Sequence, residues 1–425
     1  MATTDKAITF DEQVDLKVRD RSKDMDIEVD VAESNPELDS FEQMEDGSIE
    51  FGAPLPPMDN TDFYANLADI IDDSDLNSLK NDLMGNIEAD KESRSDWEKT
   101  YRNGLEYLGM KYEERSAPFE GASGVMHPLL AESVTQFQAQ AYNELLPSQG
   151  PVKTQVLGMT TPETEQQASR VQEFMNYQLM QVMKEYDPET DQMLFYLPLS
   201  GSAFRKVYYD QNLGRAVSKF IPSEDLIVPY AATDLHSATR ITHVINMSMN
   251  DIRKLQQVGF YSDVKIDSAS MMADETDEIQ EEIDELQGVS PSYSDDDTCK
   301  VHEIHTELDI PGFEDMNAQG EETGIKLPYI VTIANNKVLS IRRNYKENDQ
   351  LKQRTNYFVH YKFLPGLGFY GFGLTHMIGG LSKASTSILR QLIDAGTLSN
   401  LPAGFKARGI RIRNDDQPLQ PGEFR

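Results

Sequence analysis

The sequence has a single cysteine and no long apolar run, and both absences exclude whole classes of protein. With only Cys299, the chain cannot be held together by internal disulfides, which fits synthesis in a reducing cytoplasm. No stretch of about 18 apolar residues is present, so the sequence predicts no membrane-spanning helix. The N-terminus is acidic from Asp5 onward and lacks the basic and apolar regions of a secretory signal.

Catalytic and metal-binding motifs are also missing. The sequence has no H-E-x-x-H, C-x-x-C or G-x-S-x-G motif, and GGLSK at residues 379–383 lacks the spacing of a phosphate-binding loop. His302 and His305 form an H-x-x-H pair, but side chains three apart in a strand face opposite sides and cannot readily share a metal. The sequence therefore predicts no catalytic residue, no metal site and no cofactor.

Positive charge is scarce, since 39 Lys and Arg stand against 72 Asp and Glu, a net charge of −33. Proteins that grip DNA by its phosphates need clustered Lys and Arg to release counterions, so this balance argues against tight DNA binding. It is compatible with a surface along which DNA slides, and many ordinary acidic proteins share it.

Aromatic residues are few at the N-terminal end, where much of the negative charge lies. Residues 1–90 contain 25 acidic and 6 basic residues, a net charge of −19. A segment of this kind cannot bury enough apolar surface to offset the loss of chain entropy. We expect residues 1–72 to form a disordered acidic arm, which either binds a partner or only solvates the chain.

Helical periodicity follows this arm. Apolar residues recur every three to four positions from Leu76 to Ile87, which predicts helical packing over residues 75–113. Further helices are predicted over residues 128–146, bracketed by prolines, and over residues 162–186. The apolar face of this third helix contains Val171, Phe174, Met175, Leu179, Val182 and Met183. We expect its methionines to fill the core.

Runs of β-branched and aromatic residues predict strands from residue 203 onward. Residues 203–209 and 215–221 form a predicted β-hairpin, and residues 240–247 a further strand. Asn335 and Asn336 predict a turn between two later strands. These later strands are predicted at residues 300–309, 325–334, 337–343 and 356–363. The predicted fold class is therefore α+β.

Two more segments have helical spacing. Ile279, Ile283 and Leu286 keep it within an acidic stretch, residues 273–298, which is either a solvated helix face with a link or a charged patch at a channel or docking edge. A heptad-like stripe with spacings of 4, 3, 4, 3 and 4 consists of Leu374, Ile378, Leu381, Ser385, Ile388 and Leu392. This stripe predicts a helix of about 20 residues.

One motif favours an enzyme. Gly366, Gly368 and Gly371 match the dinucleotide-binding fingerprint between a predicted strand and a predicted helix, with Asp394 at roughly the required distance. Two bulky aromatic residues follow Gly368 where a phosphate would approach, and no repeated βαβ alternation surrounds the motif. A nicotinamide-dependent enzyme is therefore the alternative from another class, and a bend explains the glycines better.

An ordered series of segments resembles a known family. The most informative segment is PFEGASGVMHP at residues 118–128, a Gly/Ser-rich turn that runs straight into a helix. The others, in order, are residues 97–108, 139–147, 152–156, 199–208, 221–229 and 240–244. Together these segments are similar to the portal proteins of tailed bacteriophages, closest to the short-tailed type.

This resemblance implies a portal-like fold with a mixed α/β wing, long stem helices and a small β-rich clip. The implied division is an arm (1–72), a wing-like domain (73–255), a first stem helix with an acidic link (256–298), a clip-like β region (299–366), a second stem helix (367–398) and a basic tunnel-loop and wing segment (399–425). The sequence ends at Arg425 without a crown-like region, so we expect either truncation before the crown or an unusually short member.

The resemblance also implies a structural role rather than an enzymatic one. Portal proteins form a ring of twelve copies at one capsid vertex, for genome packaging, retention and ejection. The implied partners are further copies, the terminase large subunit, the major capsid protein, the scaffolding protein, a tail adaptor protein and double-stranded DNA in the channel, with no membrane. The implied location is the portal vertex of the virion, after synthesis in the host cytoplasm. Another head-to-tail connector or adaptor protein is the nearer alternative.

The candidate DNA contacts are positive charges toward the C-terminal end. Lys383 and Arg390 lie seven residues apart on one face of the second stem helix, where salt bridges to a neighbouring subunit explain them equally well. A denser basic set follows, and it consists of Lys406, Arg408, Arg411 and Arg413. Their alternation with isoleucine predicts a strand with a basic face, which the resemblance places near DNA.

Overall fold

The computed structural model describes residues 42–43, 49–50, 63–110, 115–117, 119, 121–210, 213–266, 278–288, 298–316, 322–366 and 368–400. The chain divides into two units, Met1–Asp62 and Phe63–Arg425. In the first unit the described residues are two antiparallel strands, β1 (Glu42–Gln43) and β2 (Ile49–Glu50). The rest of the predicted arm up to residue 62 lies outside the described residues.

The predicted arm extends too far along the chain. Residues 63–72 belong to it by prediction, yet Leu67 is fully buried in the second unit. The side chain of Asn66 accepts the backbone N–H of Ile341 at 2.9 Å and donates to Ser262 Oγ at 2.9 Å. The prediction is wrong for these residues because charge counting cannot detect a short apolar anchor with a polar tether.

The helices follow the predicted periodicity, with two additions, at residues 186–200 and 249–257. The first three predicted helical regions contain α1 (Asp73–Ser93), α2 (Ser95–Tyr107), α3 (Leu129–Leu145) and α4 (Pro162–Tyr177), which a π turn (Gln178–Val182) continues. Sequence patterns do not predict the next helix, α5 (Tyr186–Ser200), because two prolines lie within its limits. The later helices of the described chain are α6 (Met249–Gln257), α7 (Glu278–Gln287) and α8 (Leu374–Asn400).

The strands form two antiparallel sheets in the second unit. The smaller sheet has the order β10-β3-β4, from β3 (Ser202–Asp210), β4 (Arg215–Ile221) and β10 (Phe358–Lys362). The larger has the order β5-β6-β7-β8-β9, from β5 (Leu226–Ile227), β6 (Arg240–Ser248), β7 (Thr298–Leu308), β8 (Leu327–Ala334) and β9 (Lys337–Arg343). Asn335 and Asn336 both have positive φ in the β8–β9 turn, as their sequence predicts. The α+β class is confirmed.

Both faces of the larger sheet are covered. On one face, α1 packs Leu83 and Ile87 against Ile304 of β7. On the other face, α6 packs Ile252 against Val301, which lies three residues earlier in the same strand. Side chains of β7 therefore point alternately into two different cores, one on each face of the sheet. The same alternation places His302 and His305 on opposite faces, as predicted.

An ion pair with mostly buried side chains, 14% and 18% exposed, links the two sheets. Lys206 of β3 donates to both carboxylate oxygens of Glu303 of β7, at 2.5 and 2.6 Å, and His305 Nε2 lies 2.7 Å from Glu303 Oε1. Burial alone would raise the pKa of Glu303, but the charge of Lys206 and the hydrogen bond with His305 hold this pKa well below its usual range. Burial lowers the pKa of His243, directly opposite Glu303 in the sheet, to about 3.

The predicted domain limits do not coincide with the limits of the sheets. Strand β6 from the wing-like segment pairs with β7 from the clip-like segment along its whole length, and β10 pairs with β3 in the same way. The two segments therefore share both sheets, because antiparallel strands find partners that composition along the chain does not reveal. Residues 256–298 are predicted to contain the first stem helix. In the described part of this segment the complete helix is α7, which is only ten residues long.

Candidate subunit interface and channel helix

Helix α8 joins the rest of the second unit through a close crossing of backbones. Gly201 ends α5 with a φ of 86°, and a Cβ atom there would lie 2.6 Å from the backbone nitrogen of Gly373. A Cβ atom at Gly371 would lie 2.5 Å from the carbonyl oxygen of Gly201. Gly371 N also donates to Ser202 Oγ at 2.9 Å. Only glycine fits this crossing, which accounts for the last glycine of the fingerprint-like motif.

The aromatic residues of the same motif fill the core. The ring of Phe369 stacks 5.9 Å from that of Phe204, and the ring of Tyr370 stacks 4.5 Å from that of Trp97. The preceding strand, β10, runs antiparallel to β3, whereas a dinucleotide-binding loop belongs to a parallel βαβ unit. The motif is therefore explained by packing at the bend before α8.

The first half of α8 is anchored in a helical core. Leu374 and Ile378 pack with residues of α2 and α3. Thr375 Oγ1 donates to the carbonyl of Leu199 at 2.9 Å, and it lies so close to α2 that a Cβ atom at Gly104 would come within 2.5 Å of it. This end of α8 is thus fixed by both apolar and polar contacts.

The second half of α8 behaves differently. From residue 383 to residue 400 none of its residues is buried. One side of the helix carries a row that we call the apolar stripe, with Met377, Leu381, Ile388 and Leu392 exposed by 57%, 62%, 66% and 70%. Ala384 and Ala395 complete it. The helix predicted from the sequence pattern is present, but its heptad-like stripe does not lie on one exposed face, because its first two residues, Leu374 and Ile378, pack in the helical core.

The three charged residues of α8 lie away from the apolar stripe. At 3.6 residues per turn, Lys383, Arg390 and Asp394 share the opposite side of the helix. The exposed side with the stripe therefore has no charged residue over its whole length, in a chain of which 26% of the residues are charged.

The Gly/Ser-rich segment is held on this charged side by a ladder of three side chains. Ser123 N donates to Asp394 Oδ1 at 2.7 Å, Arg390 Nε donates to the carbonyl of Val125 at 2.8 Å, and His127 N donates to Thr386 Oγ1 at 3.0 Å. Alternate backbone residues thus meet side chains spaced four apart on the helix. We call this set of contacts the ladder. It ties α8 to the start of α3.

The ladder changes the interpretation of the predicted DNA contacts. Arg390 is half-buried, and its Nε donates a hydrogen bond to the carbonyl oxygen of Val125. Lys383 is exposed, with Nζ 5.8 Å from the ring centre of Tyr107. The four remaining candidates, Lys406, Arg408, Arg411 and Arg413, lie outside the described residues.

The sequence analysis gives Thr386 no role, and it names Asp394 only as the acidic residue of the dinucleotide-binding fingerprint. The available signal is the spacing of Thr386, Arg390 and Asp394, which places three hydrogen-bonding side chains along one helix face. In the described part of the chain, no group of three or more His, Cys, Asp or Glu residues is arranged to hold a metal ion. Among the same residues, no helix combines the length and the apolar character needed to cross a bilayer.

Residues 205–409 match the family model described as phage SU10 portal protein. The predicted family is confirmed: the match supports a phage portal protein. The matched range begins within β3 and covers the larger sheet and all of α8, while the Gly/Ser-rich segment precedes it. None of the curated proteins matches the chain. Portal proteins are structural components of the virion, where they assemble with capsid and other phage proteins.

Proposed function

We propose that this chain is the subunit of a closed ring that forms the DNA channel at one capsid vertex, used for packaging, retention and ejection of the genome. By resemblance the ring has twelve copies. The observation that carries the proposal is the apolar stripe of α8, which lies inside the range that matches the portal family.

The stripe is difficult to explain in a single subunit. Helix α8 has 27 residues and is therefore about 40 Å long, with four large apolar side chains in a row on its uncharged side. Contiguous exposed apolar surface marks an interaction site. Small residues beside the stripe, Gly380 and Ser387, would let a neighbouring subunit approach closely. Helices packed side by side around an axis would cover the stripe in every copy.

The charge of the chain suits a channel. Its net charge of −33 disfavours tight binding of phosphates, so a duplex in contact with such a wall can move. Lys383 and the basic set at residues 406–413 are the proposed sites of transient phosphate contact, repeated once per copy around the ring. The proposed partners are the terminase large subunit, the major capsid protein, the scaffolding protein, a tail adaptor protein and the DNA.

The apolar stripe can be tested by a double substitution, Leu381→Ser with Ile388→Ser. Both side chains are mostly exposed in the subunit, so we expect the variant to fold with an unchanged thermal midpoint and to form no rings by electron microscopy. The matched control is Leu351→Ser with Tyr230→Ser, since these residues are 77% and 87% exposed and lie outside α8. Rings that persist in the stripe variant would show that the stripe is not the subunit interface.

The basic set can be tested separately by changing Lys406, Arg408, Arg411 and Arg413 to glutamine. We expect rings to form while DNA packaging or retention is impaired. Normal packaging, or failure of the rings to form, would instead assign these residues to contacts between subunits.

A further inference from the structure

A second part of the chain exposes apolar side chains, and we call it the α4 segment. It comprises residues 151–182, an extended stretch followed by α4 and the π turn. None of these residues is buried, and none belongs to a hydrophobic cluster of the described chain. The expectation that Met175 fills the core is therefore wrong. A helix of 16 residues is only marginally stable alone in water, so its apolar face needs a cover.

Polar contacts within the α4 segment fix its conformation. Thr154 Oγ1 donates to the carbonyl of Ala168 at 2.9 Å, and Asn176 Oδ1 accepts the backbone N–H of Val152 at 2.9 Å. These two bonds hold the extended stretch along one side of α4. At the start of the helix, Thr161 forms a capping box. The segment therefore presents a preformed surface, although it has no core of its own.

The surface of the α4 segment is apolar. At 3.6 residues per turn, Val171, Phe174 and Met175 lie within a sector of about 100° on α4, and no charged residue lies inside this sector. Arg170 borders the sector beside Phe174. Five exposed side chains of the segment are wholly apolar, with exposed fractions from 42% to 89%, and they are Leu157, Met159, Val171, Phe174 and Met175.

The proposed subunit interface needs more apolar area than α8 provides. If a fully exposed aliphatic side chain offers about 100 Å² of apolar area and phenylalanine about 200 Å², the apolar stripe offers roughly 250 Å². A stable interface buries about 800 Å² on each partner, of which about 450 Å² is apolar. The stripe therefore supplies about half of the required area, and the α4 segment offers roughly 400 Å² more.

We propose that the α4 segment packs against the neighbouring copy of this chain in the ring and completes the interface that the apolar stripe begins. This inference rests on the proposed ring and names a further contact within it. A second copy is the partner because the ring requires apolar area on this scale, and the α4 segment offers it. Two α4 segments packed together would form a two-fold dimer, so the segment contacts a different surface of the neighbour. Phe174 is the anchor of the contact.

Two substitutions on the apolar sector test this contact. Val171→Ser with Phe174→Ser removes roughly 170 Å² of apolar area, so rings should need at least tenfold more protein for half assembly, measured by mass photometry. The thermal midpoint of the single chain should not change, because both side chains are exposed. The matched control is Gln166→Ser with Glu173→Ser, which are exposed on the other side of α4 and should shift assembly less than twofold. Equal assembly of the two variants would overturn the contact.

Photo-cross-linking identifies the partner directly. A photoreactive benzoylphenylalanine in place of Phe174 should give covalent dimers of this chain in rings, and at least tenfold fewer dimers when it replaces Glu173. Rings without such dimers, or adducts only within one chain, would overturn the contact and leave the ring intact. Adducts only with a different protein of the assembled particle would overturn it as well. If the unaltered chain forms no rings, both the contact and the proposed ring are wrong.

Discussion

Removal of one rung of the ladder should loosen the Gly/Ser-rich segment without unfolding the protein. Asp394→Ala deletes a charged acceptor 2.7 Å from the amide of Ser123. Hydrogen bonds to charged groups contribute about 1.5 to 3 kcal/mol. Asp394 is half-exposed, so we take the lower end, about 1.5 kcal/mol, which corresponds to roughly a tenfold increase in local opening.

Hydrogen exchange followed by mass spectrometry measures this opening directly. Peptides that contain Ser123 and His127 should exchange about ten times faster in Asp394→Ala, while peptides from the buried start of α3 should not change. Thr386→Val removes a neutral rung, worth about 1 kcal/mol, and should accelerate exchange about fivefold. Asp394→Asn keeps an acceptor oxygen and should have a smaller effect than alanine.

Gln391→Ala is the matched control, since this residue is exposed on α8 and outside the ladder. Unchanged exchange at Ser123 in Asp394→Ala would refute the reasoning, because the segment would then be held by contacts other than the ladder. Equal acceleration in Gln391→Ala would refute it as well, by showing a general loosening of α8.

Three other predictions concern the packing of the subunit. Gly201→Ala should lower the thermal midpoint far more than Gly214→Ala, because both have positive φ but only Gly201 has backbone atoms within 4 Å of the added Cβ; equal effects would contradict the close crossing. Lys206→Met should cost about 3 kcal/mol in urea unfolding, the lower end for a broken buried ion pair because Glu303 is partly exposed and keeps its hydrogen bond with His305, and adding Glu303→Leu should recover part of this loss; no recovery would show that the ion pair is not the cause. His243 takes up a proton near pH 6.5 when unfolded but only near pH 3 when folded, so stability should fall as the pH drops through this window, and His243→Leu should reduce that slope; an identical slope would assign it to other groups.

The helices and strands could largely be predicted from the sequence, because their periodicity reflects burial against neighbours on one or two faces. For α8 the sequence predicts the helix, at about 20 residues where the structure has 27, but it does not predict which side of the helix is buried. The predicted stripe and the observed one share Leu381, Ile388 and Leu392. The predicted stripe also contains Leu374 and Ile378, which pack in the helical core, whereas the observed one contains the exposed Met377. Only the contacts of Leu374 and Thr375 with other helices decide which side is buried.

The contacts of the Gly/Ser-rich segment could not be predicted in the same way. Its sequence indicates a turn, but the ladder joins residues 123–127 to residues more than 250 positions later. Hydrogen bonds of this kind leave no periodic pattern, since each needs only one polar side chain at one position. The same limit applies to Asn66, whose side chain anchors a segment that charge alone assigns to the arm.

Electron microscopy of the purified chain tests the central proposal most directly. The account predicts closed rings with a central opening wide enough for a DNA duplex, and with twelve copies in end-on views. The same particles should have a mass of about 576 kDa, twelve times the 48.0 kDa of one chain. A population of single chains or two-fold dimers, with no ring at any concentration tested, would contradict the account.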